Sequence, residues 1–129
     1  MPLKLKLKAR EEVILGGALL VNGEQPTELT VRNRVPILRS KDIMREPEAT
    51  TPVRRIYFLL QAMYLEQTRT PRHYQAFLQS VKELLSAAPS MVEGLYDLSE
   101  AVLDDDFYRA LRGAKKLMAQ EAEILSRAA

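Results

Sequence analysis

The chain has 129 residues, enough for one domain or for two small lobes sharing a core, and its 47% hydrophobic and 28% charged content is ordinary for a soluble globular protein. It has no cysteine, which excludes disulfides and thiolate metal sites. The net charge of +2 is uneven: residues 1–58 carry eleven Lys and Arg against seven Asp and Glu, and residues 59–129 carry eight against ten. A basic front and an acidic back predict different partners for the two ends.

The opening MPLKLKLKAREE alternates apolar and basic residues and has no continuous apolar stretch, so no signal peptide is expected. LKLKLK (3–8) has period two, with Leu3, Leu5 and Leu7 on one face and Lys4, Lys6 and Lys8 on the other. EVILGG (12–17) is a second predicted strand, ended by Gly16-Gly17, and ALLV (18–21) is a third. Asn22-Gly23 carries a hairpin-turn signal, because both residues tolerate positive φ. ELTVRN (28–33) alternates again, and VPIL (35–38) continues it, with Pro36 arguing for an edge strand or a bulge. The pattern predicts an antiparallel sheet with Leu3, Leu5, Leu7, Val13, Leu15, Leu29 and Val31 inward.

REPEATTPV (45–53) holds two prolines and a charge cluster and marks a boundary, between a basic β unit at 1–48 and a helical bundle at 49–129. Thr51 as N-cap with Pro52 at the first helical position starts a helix over 52–67, whose stripe is Val53, Ile56, Leu59, Leu60, Met63 and Tyr64. Thr70-Pro71 repeats the punctuation and opens a second helix over about 71–87, with Tyr74, Phe77, Leu78, Val81, Leu84 and Leu85 inward. Ser90 to Glu93 reads as a capping box for a third helix, running to about Leu103. Asp104, Asp105 and Asp106 suit the start of a fourth, which carries Phe107, Tyr108, Leu111, Leu117, Met118 and Leu125. The expected architecture is α+β: a small antiparallel β unit, then three or four helices. No stretch approaches ~18 uninterrupted apolar residues, so no membrane span is expected, and the chain reads as cytoplasmic.

Catalysis finds little support. His73 is the only histidine, and no cysteine offers a nucleophile partner. The three aspartates lack a spaced ligand set, so helix capping explains them better than a cation does. Gly16-Gly17 lacks the spacing of a phosphate-binding loop. Neither an enzyme nor a cofactor nor a metal is expected.

The basic residues are more informative. Lys4, Lys6 and Lys8 would stand about 7 Å apart along one strand face, a spacing comparable to that of phosphates along a nucleic-acid strand. Arg32, Arg34 and Arg39 would add guanidinium forks suited to phosphates and base edges, and Lys41 another cation. The alternative is an ordinary solvated sheet face, whose lysines discourage edge pairing, and composition alone favours that alternative. Residues 1–45 contain no aromatic residue, which counts against a generic single-strand binder. The aromatics lie in the predicted helices, densest in IYFLLQAMY (56–64), apolar on more than one face. Such a helix is central to a bundle or touches a partner.

MPLKLKLK, VILGGALLVNG, VRNRVPILRSKDIM, TPVRRIYFLLQAMYLE, FLQSVKELLSAAP and DDDFYRALRGAKKLMAQEAEIL occur in an order that resembles the FlbT family of flagellar regulators of alphaproteobacteria, over nearly the whole chain. The resemblance implies post-transcriptional control of flagellin through the 5′ untranslated leader of its mRNA, usually repressive and in some members activating. It also implies a small helical flagellar protein, FlaF, as a partner. The first 45 residues, ending in ILRSKDI, are similar to the carbon storage regulator family, whose last strand ends in apolar-x-Arg-x-Glu-Glu-Ile. That likeness implies an RNA contact at Arg39 and a homodimer through strands, with Lys4 and Arg39 near one another. Lys41-Asp42 stands where that family has its acidic pair, and the helical half has no counterpart there.

The expected function is therefore an RNA-binding translational repressor of flagellin. Lys4, Lys6, Lys8, Arg32, Arg34, Arg39 and Lys41 would face the leader. The rival expectation is a protein-interaction adaptor or chaperone-like assembly factor acting through FlaF or flagellin with its helical half.

Overall fold

Strand pairing in the first forty residues divides the β elements into two small sheets. The computed structural model describes residues 2–128, and the chain falls into two units, Met1–Ile43 and Met44–Ala129. In the first, β1 (Leu3–Leu7) pairs antiparallel with β4 (Thr27–Val31), Leu5 opposite Leu29 and Lys6 opposite Glu28. β2 (Glu12–Leu15) is the centre of a three-stranded sheet, between β3 (Ala18–Val21) and β5 (Ile37–Arg39).

The hairpin turn lies at Gly16-Gly17, not at Asn22-Gly23. Both glycines have positive φ, +57° and +89°, which a two-residue hairpin loop of the favoured twist requires. Asn22 instead uses its side-chain amide to donate to the carbonyls of Lys8 and Gln25, at 2.8 and 2.9 Å, tying the loop before β4 to the end of β1. The stretch VRNRVPILRSKDIM is not one strand either. Val31 ends β4, residues 32–36 are irregular, and β5 starts after Pro36 in the other sheet. Proline has no N–H for a ladder, so it stands before the strand. Leu5, Leu7, Val13 and Leu38 are buried. Leu3 is 49% exposed, against expectation, because it lies at the end of a two-stranded ribbon.

The second unit is helical: α1 (Pro52–Glu66), α2 (Pro71–Ala87), α3 (Val92–Leu103) and α4 (Phe107–Ala128). Thr51 caps α1, its hydroxyl oxygen accepting from the Arg54 N–H at 3.2 Å, with Pro52 in the first turn. α1 packs against both α2 and α4, and α3 packs on α4. That central position explains why IYFLLQAMY is apolar on more than one face: Ile56, Tyr57, Leu60 and Met63 are all buried. The expected capping box at Ser90 is absent. A short 3-10 turn, Pro89–Met91, precedes α3, and its cap, Met91, makes no side-chain bond. Asp106 does cap α4, accepting from the Arg109 N–H at 3.2 Å. Leu78, expected inside, is exposed, since the apolar stripe of α2 is narrower than the pattern suggested, and Tyr108 and Leu125 of α4 are exposed as well.

Two polar side chains are buried in this unit. Gln61 of α1 is bidentate on the main chain of Met44: its Oε1 accepts from the Met44 N–H at 2.8 Å and its Nε2 donates to the Met44 carbonyl at 2.9 Å. Glu121 of α4 accepts from the Thr51 hydroxyl and, at 3.0 Å, from the Val53 N–H. The α3–α4 packing rests on two glycines. A Cβ at Gly94 would stand 2.6 Å from Leu117 Cδ2, and one at Gly113 would stand 2.8 Å from Leu98 Cδ2. Each helix thus offers a bare backbone to the other's leucine, four residues from its own.

Among the described residues no helix is long and apolar enough to cross a membrane.

Candidate nucleic-acid interface

The turn after β1 organises the basic residues. Lys8 to Glu11 forms a β-turn, closed by the Glu11 N–H on the Lys8 carbonyl at 3.1 Å. Arg10 takes a left-handed φ of +61°, unusual for a side chain other than glycine, and its N–H bonds the Gly23 carbonyl at 2.9 Å. The same turn returns the Glu11 carboxylate onto the Lys8 N–H at 2.8 Å. Arg39, at the end of β5, then reaches this carboxylate through Nη2 at 3.1 Å and also donates to the main-chain carbonyl of Lys6. The guanidinium therefore links the end of β5 to the β1 ribbon.

Around this link lies an open cleft of about 530 Å³, lined by Lys8, Arg10, Glu11, Arg39, Ser40 and Lys41. Three expected site residues, Lys8, Arg39 and Lys41, meet there. Lys6 contributes its main chain to the link and keeps its side chain exposed. Lys41 sits in a 3-10 turn, Ser40–Asp42, rather than on a strand. Lys4 is exposed farther along β1. Arg32 and Arg34 are exposed in the irregular segment before β5, at the end of that strand away from Arg39. The register places Arg32 just beyond the Leu3–Val31 pair, at the Lys4 end of the ribbon. Lys8, Arg39 and Lys41 therefore gather at one end of β1, and Lys4 and Arg32 lie toward the other, so the seven residues do not form one continuous row.

The charge is also less free than the sequence implies. Arg39 has its guanidinium engaged by Glu11, and its side chain is 36% exposed. Lys6 stands opposite Glu28 across the ribbon. Arg39 is where the carbon storage regulator likeness expected an RNA contact, and the main-chain atom it meets belongs to Lys6, two residues beyond Lys4. Arg10 was not singled out in the sequence. Its place in the cleft follows from the left-handed turn, for which Lys8–Glu11 carries no glycine signal. It pairs with Glu24 at 3.6 Å, both side chains largely exposed, so that pair is weak and exchangeable. Among the described residues no group of three or more His, Asp or Glu is placed to hold a metal ion.

Glu11 gives the cleft a pH dependence. The hydrogen bond from the Lys8 N–H, with the Arg39 guanidinium, holds its carboxyl below the ordinary 4.5, although partial burial pushes the other way. A carboxyl whose folded value is depressed contributes stability above its unfolded value, and loses it as pH falls through the folded value. The Lys8 amide proton should therefore shift with a midpoint below 4.5 in an NMR titration. The shift should vanish in Glu11→Gln. A midpoint at or above 4.5 would mean that the turn does not hold the carboxylate.

The family model described as flagellar protein FlbT matches residues 3–125. The probable flagellum biosynthesis repressor protein FlbT of Rhodopseudomonas palustris (strain TIE-1) is 39% identical over 127 residues, covering 98% of this chain and all of the relative. That of Caulobacter sp. (strain K31) is 38% identical, covering 97% of each. The flagellum biosynthesis repressor protein FlbT of Caulobacter vibrioides (strain ATCC 19089 / CIP 103742 / CB 15) is 35% identical, covering 97% of this chain and 90% of the relative. No solved structure matches the chain.

Proposed function

The chain belongs to the FlbT family of flagellar proteins, and on that premise we propose that it represses flagellum biosynthesis by binding the 5′ untranslated leader of flagellin mRNA. The observation that carries this reading is the cleft beside β1, where Lys8, Arg10 and Lys41 surround the Arg39–Glu11 link. Lys4 and Lys6 extend the positive surface along the ribbon, Arg32 stands at its far end, and Arg34 is exposed two residues on.

The chemistry suits a reader of the leader's folded backbone, whose shape a scrambled sequence does not reproduce. Lysine and arginine side chains neutralise phosphates, and arginine adds bidentate recognition. No aromatic residue lies in residues 1–43, so bases are not held by stacking. Arg39 then acts through position: it fixes the turn that presents Lys8 and Arg10, and offers one guanidinium edge to a phosphate. Occupying the leader blocks ribosome access or exposes the message to nucleases. Binding of this kind needs no cofactor.

The test is a titration of the protein against its flagellin leader RNA and a scrambled control at two salt concentrations, with and without FlaF. Engagement of about four phosphates on single-stranded RNA gives a slope near −3 in log affinity against log salt, or about 50-fold weaker binding from 50 to 200 mM. Reversing Lys8, Arg10 and Lys41 to glutamate should flatten that slope and abolish leader preference. Equal binding of the scrambled RNA, or a reversal variant that binds normally, would end the reading.

A second reading, an adaptor acting through the helical unit, is favoured by one observation. Val92, Tyr96 and Leu103 expose an apolar row on α3, at 52%, 63% and 56%. RNA binding that appears only with FlaF, and is lost on changing Tyr96 but not Lys8, would select it.

A further inference from the structure

β3 is an edge strand without the usual protection. All four of its residues, Ala18 to Val21, are exposed, with Leu19 at 54%, Leu20 at 37% and Val21 at 63%. Edge strands are ordinarily blunted by lysine, proline, a bulge or a covering element. Here no charged residue and no proline occurs from Val13 to Gly23. β4, by contrast, exposes Thr27, Glu28 and Thr30 to solvent.

The register says which main-chain groups are unused. Leu15 and Ala18 flank a two-residue turn, so they form a hydrogen-bonded pair, and the pattern alternates outward through Val13–Leu20. The Asn22 N–H on the Glu11 carbonyl, at 2.9 Å, continues that alternation. Leu19 and Val21 therefore direct their N–H and C=O groups away from β2, into the open edge.

We infer that this edge pairs with the β3 edge of a second copy of the chain, antiparallel about a two-fold axis at Leu20. In that register each Leu19 meets a Val21 of the other copy in a hydrogen-bonded pair, giving four main-chain bonds. Leu20 meets its own counterpart in the closer, non-bonded position. The occupant is argued from self-complementarity. An isologous contact about this axis sets position 20 against its own copy and 19 against 21, so a charge at 20, or like charges at 19 and 21, would repel. The patch has none, and Leu20 and the Leu19–Val21 pairs are apolar on both sides. The same absence gives no handle to a charged partner. The result is one six-stranded sheet, β5-β2-β3 continued through the axis.

Four residues a side bury less than the ~1,200 Å² at which specific interfaces begin, so the dimer is weak and dissociates on dilution in the micromolar range. The inference does not rest on RNA binding, though a dimer would carry two basic clefts and gain avidity on a long leader.

Sedimentation equilibrium of the full chain from about 1 to about 200 µM tests it, over the range a small interface demands. The wild type should pass from the mass of one chain to that of two. Leu20→Lys should weaken dimerisation by about tenfold or more, because it sets like charges opposite each other. Val21→Pro should do the same by removing an outward N–H that β2 does not use. Circular dichroism of both variants checks that the fold persists, and the surface-exposed substitution Glu24→Lys should leave dimerisation unchanged. A wild type that stays monomeric throughout, or a dimer that survives both β3 changes in folded protein, would overturn the inference.

Discussion

Gln61→Leu is expected to destabilise the helical unit by about 3 kcal/mol, since it leaves a buried N–H and a buried C=O unpaired at about 1–3 kcal/mol each. The two groups belong to Met44, which enters the helical unit where no strand or helix provides it with main-chain partners. The glutamine amide stands in for a β-ladder there, one acceptor and one donor from a single side chain. Leucine matches it in size and removes both. With a total stability of about 5–15 kcal/mol the loss is large. At roughly 3–5 °C per kcal/mol for a chain of this length, it lowers the melting temperature by about 9–15 °C, read from the helical circular dichroism signal. Gln61→Glu keeps the acceptor and loses the donor, so it should also destabilise. A melting temperature within about 2 °C of wild type for Gln61→Leu, less than 1 kcal/mol, would show that water replaces the amide at no cost.

Glu121→Ala should cost about 2–4 kcal/mol in urea unfolding at neutral pH, because charge-assisted hydrogen bonds carry about 1.5–3 kcal/mol and the buried Val53 N–H loses its partner. The carboxylate lies at the N-terminus of α1, where the helix dipole favours negative charge. It also orients the Thr51 hydroxyl, whose oxygen caps the same turn. Glu121→Gln keeps one acceptor and should cost roughly half as much. Thr51→Val removes the hydroxyl from the other side, and the double variant with Glu121→Ala should cost clearly less than the sum of the two. Additive losses would mean that Glu121 and Thr51 act separately.

The starts of α1 and α2 were legible in the sequence because Thr-Pro punctuation is local, whereas the capping box expected at Ser90 does not form. Thr51-Pro52 and Thr70-Pro71 open α1 and α2 where the chain says they should. What closes α1 against α4 was not legible, since Glu121 lies 68 residues from the N–H it accepts. Strands were found by alternation, but their partners were not. A period of two is the same for β4 and β5, and nothing in VRNRVPILRSKDIM says that its ends belong to different sheets. The choice of Gly16-Gly17 over Asn22-Gly23 for the hairpin is likewise a tertiary outcome. Both dipeptides tolerate positive φ, and the Asn22 amide is taken up by the carbonyls of Lys8, just past β1, and Gln25. For the basic residues, sequence gives number and sign. It does not say that Glu11 neutralises Arg39, or that a left-handed turn brings Arg10 into the cleft.

The two glycines between α3 and α4 have a consequence for descent. Gly94 is matched to Leu117 and Gly113 to Leu98, each pair crossing from one helix to the other. A larger residue at either glycine requires its own leucine to shrink or turn aside, while the second pair is untouched. Among the chain's relatives, the four positions should therefore drift as two independent couples, 94 with 117 and 98 with 113. The helix pair can change its side chains over time while keeping its axes fixed.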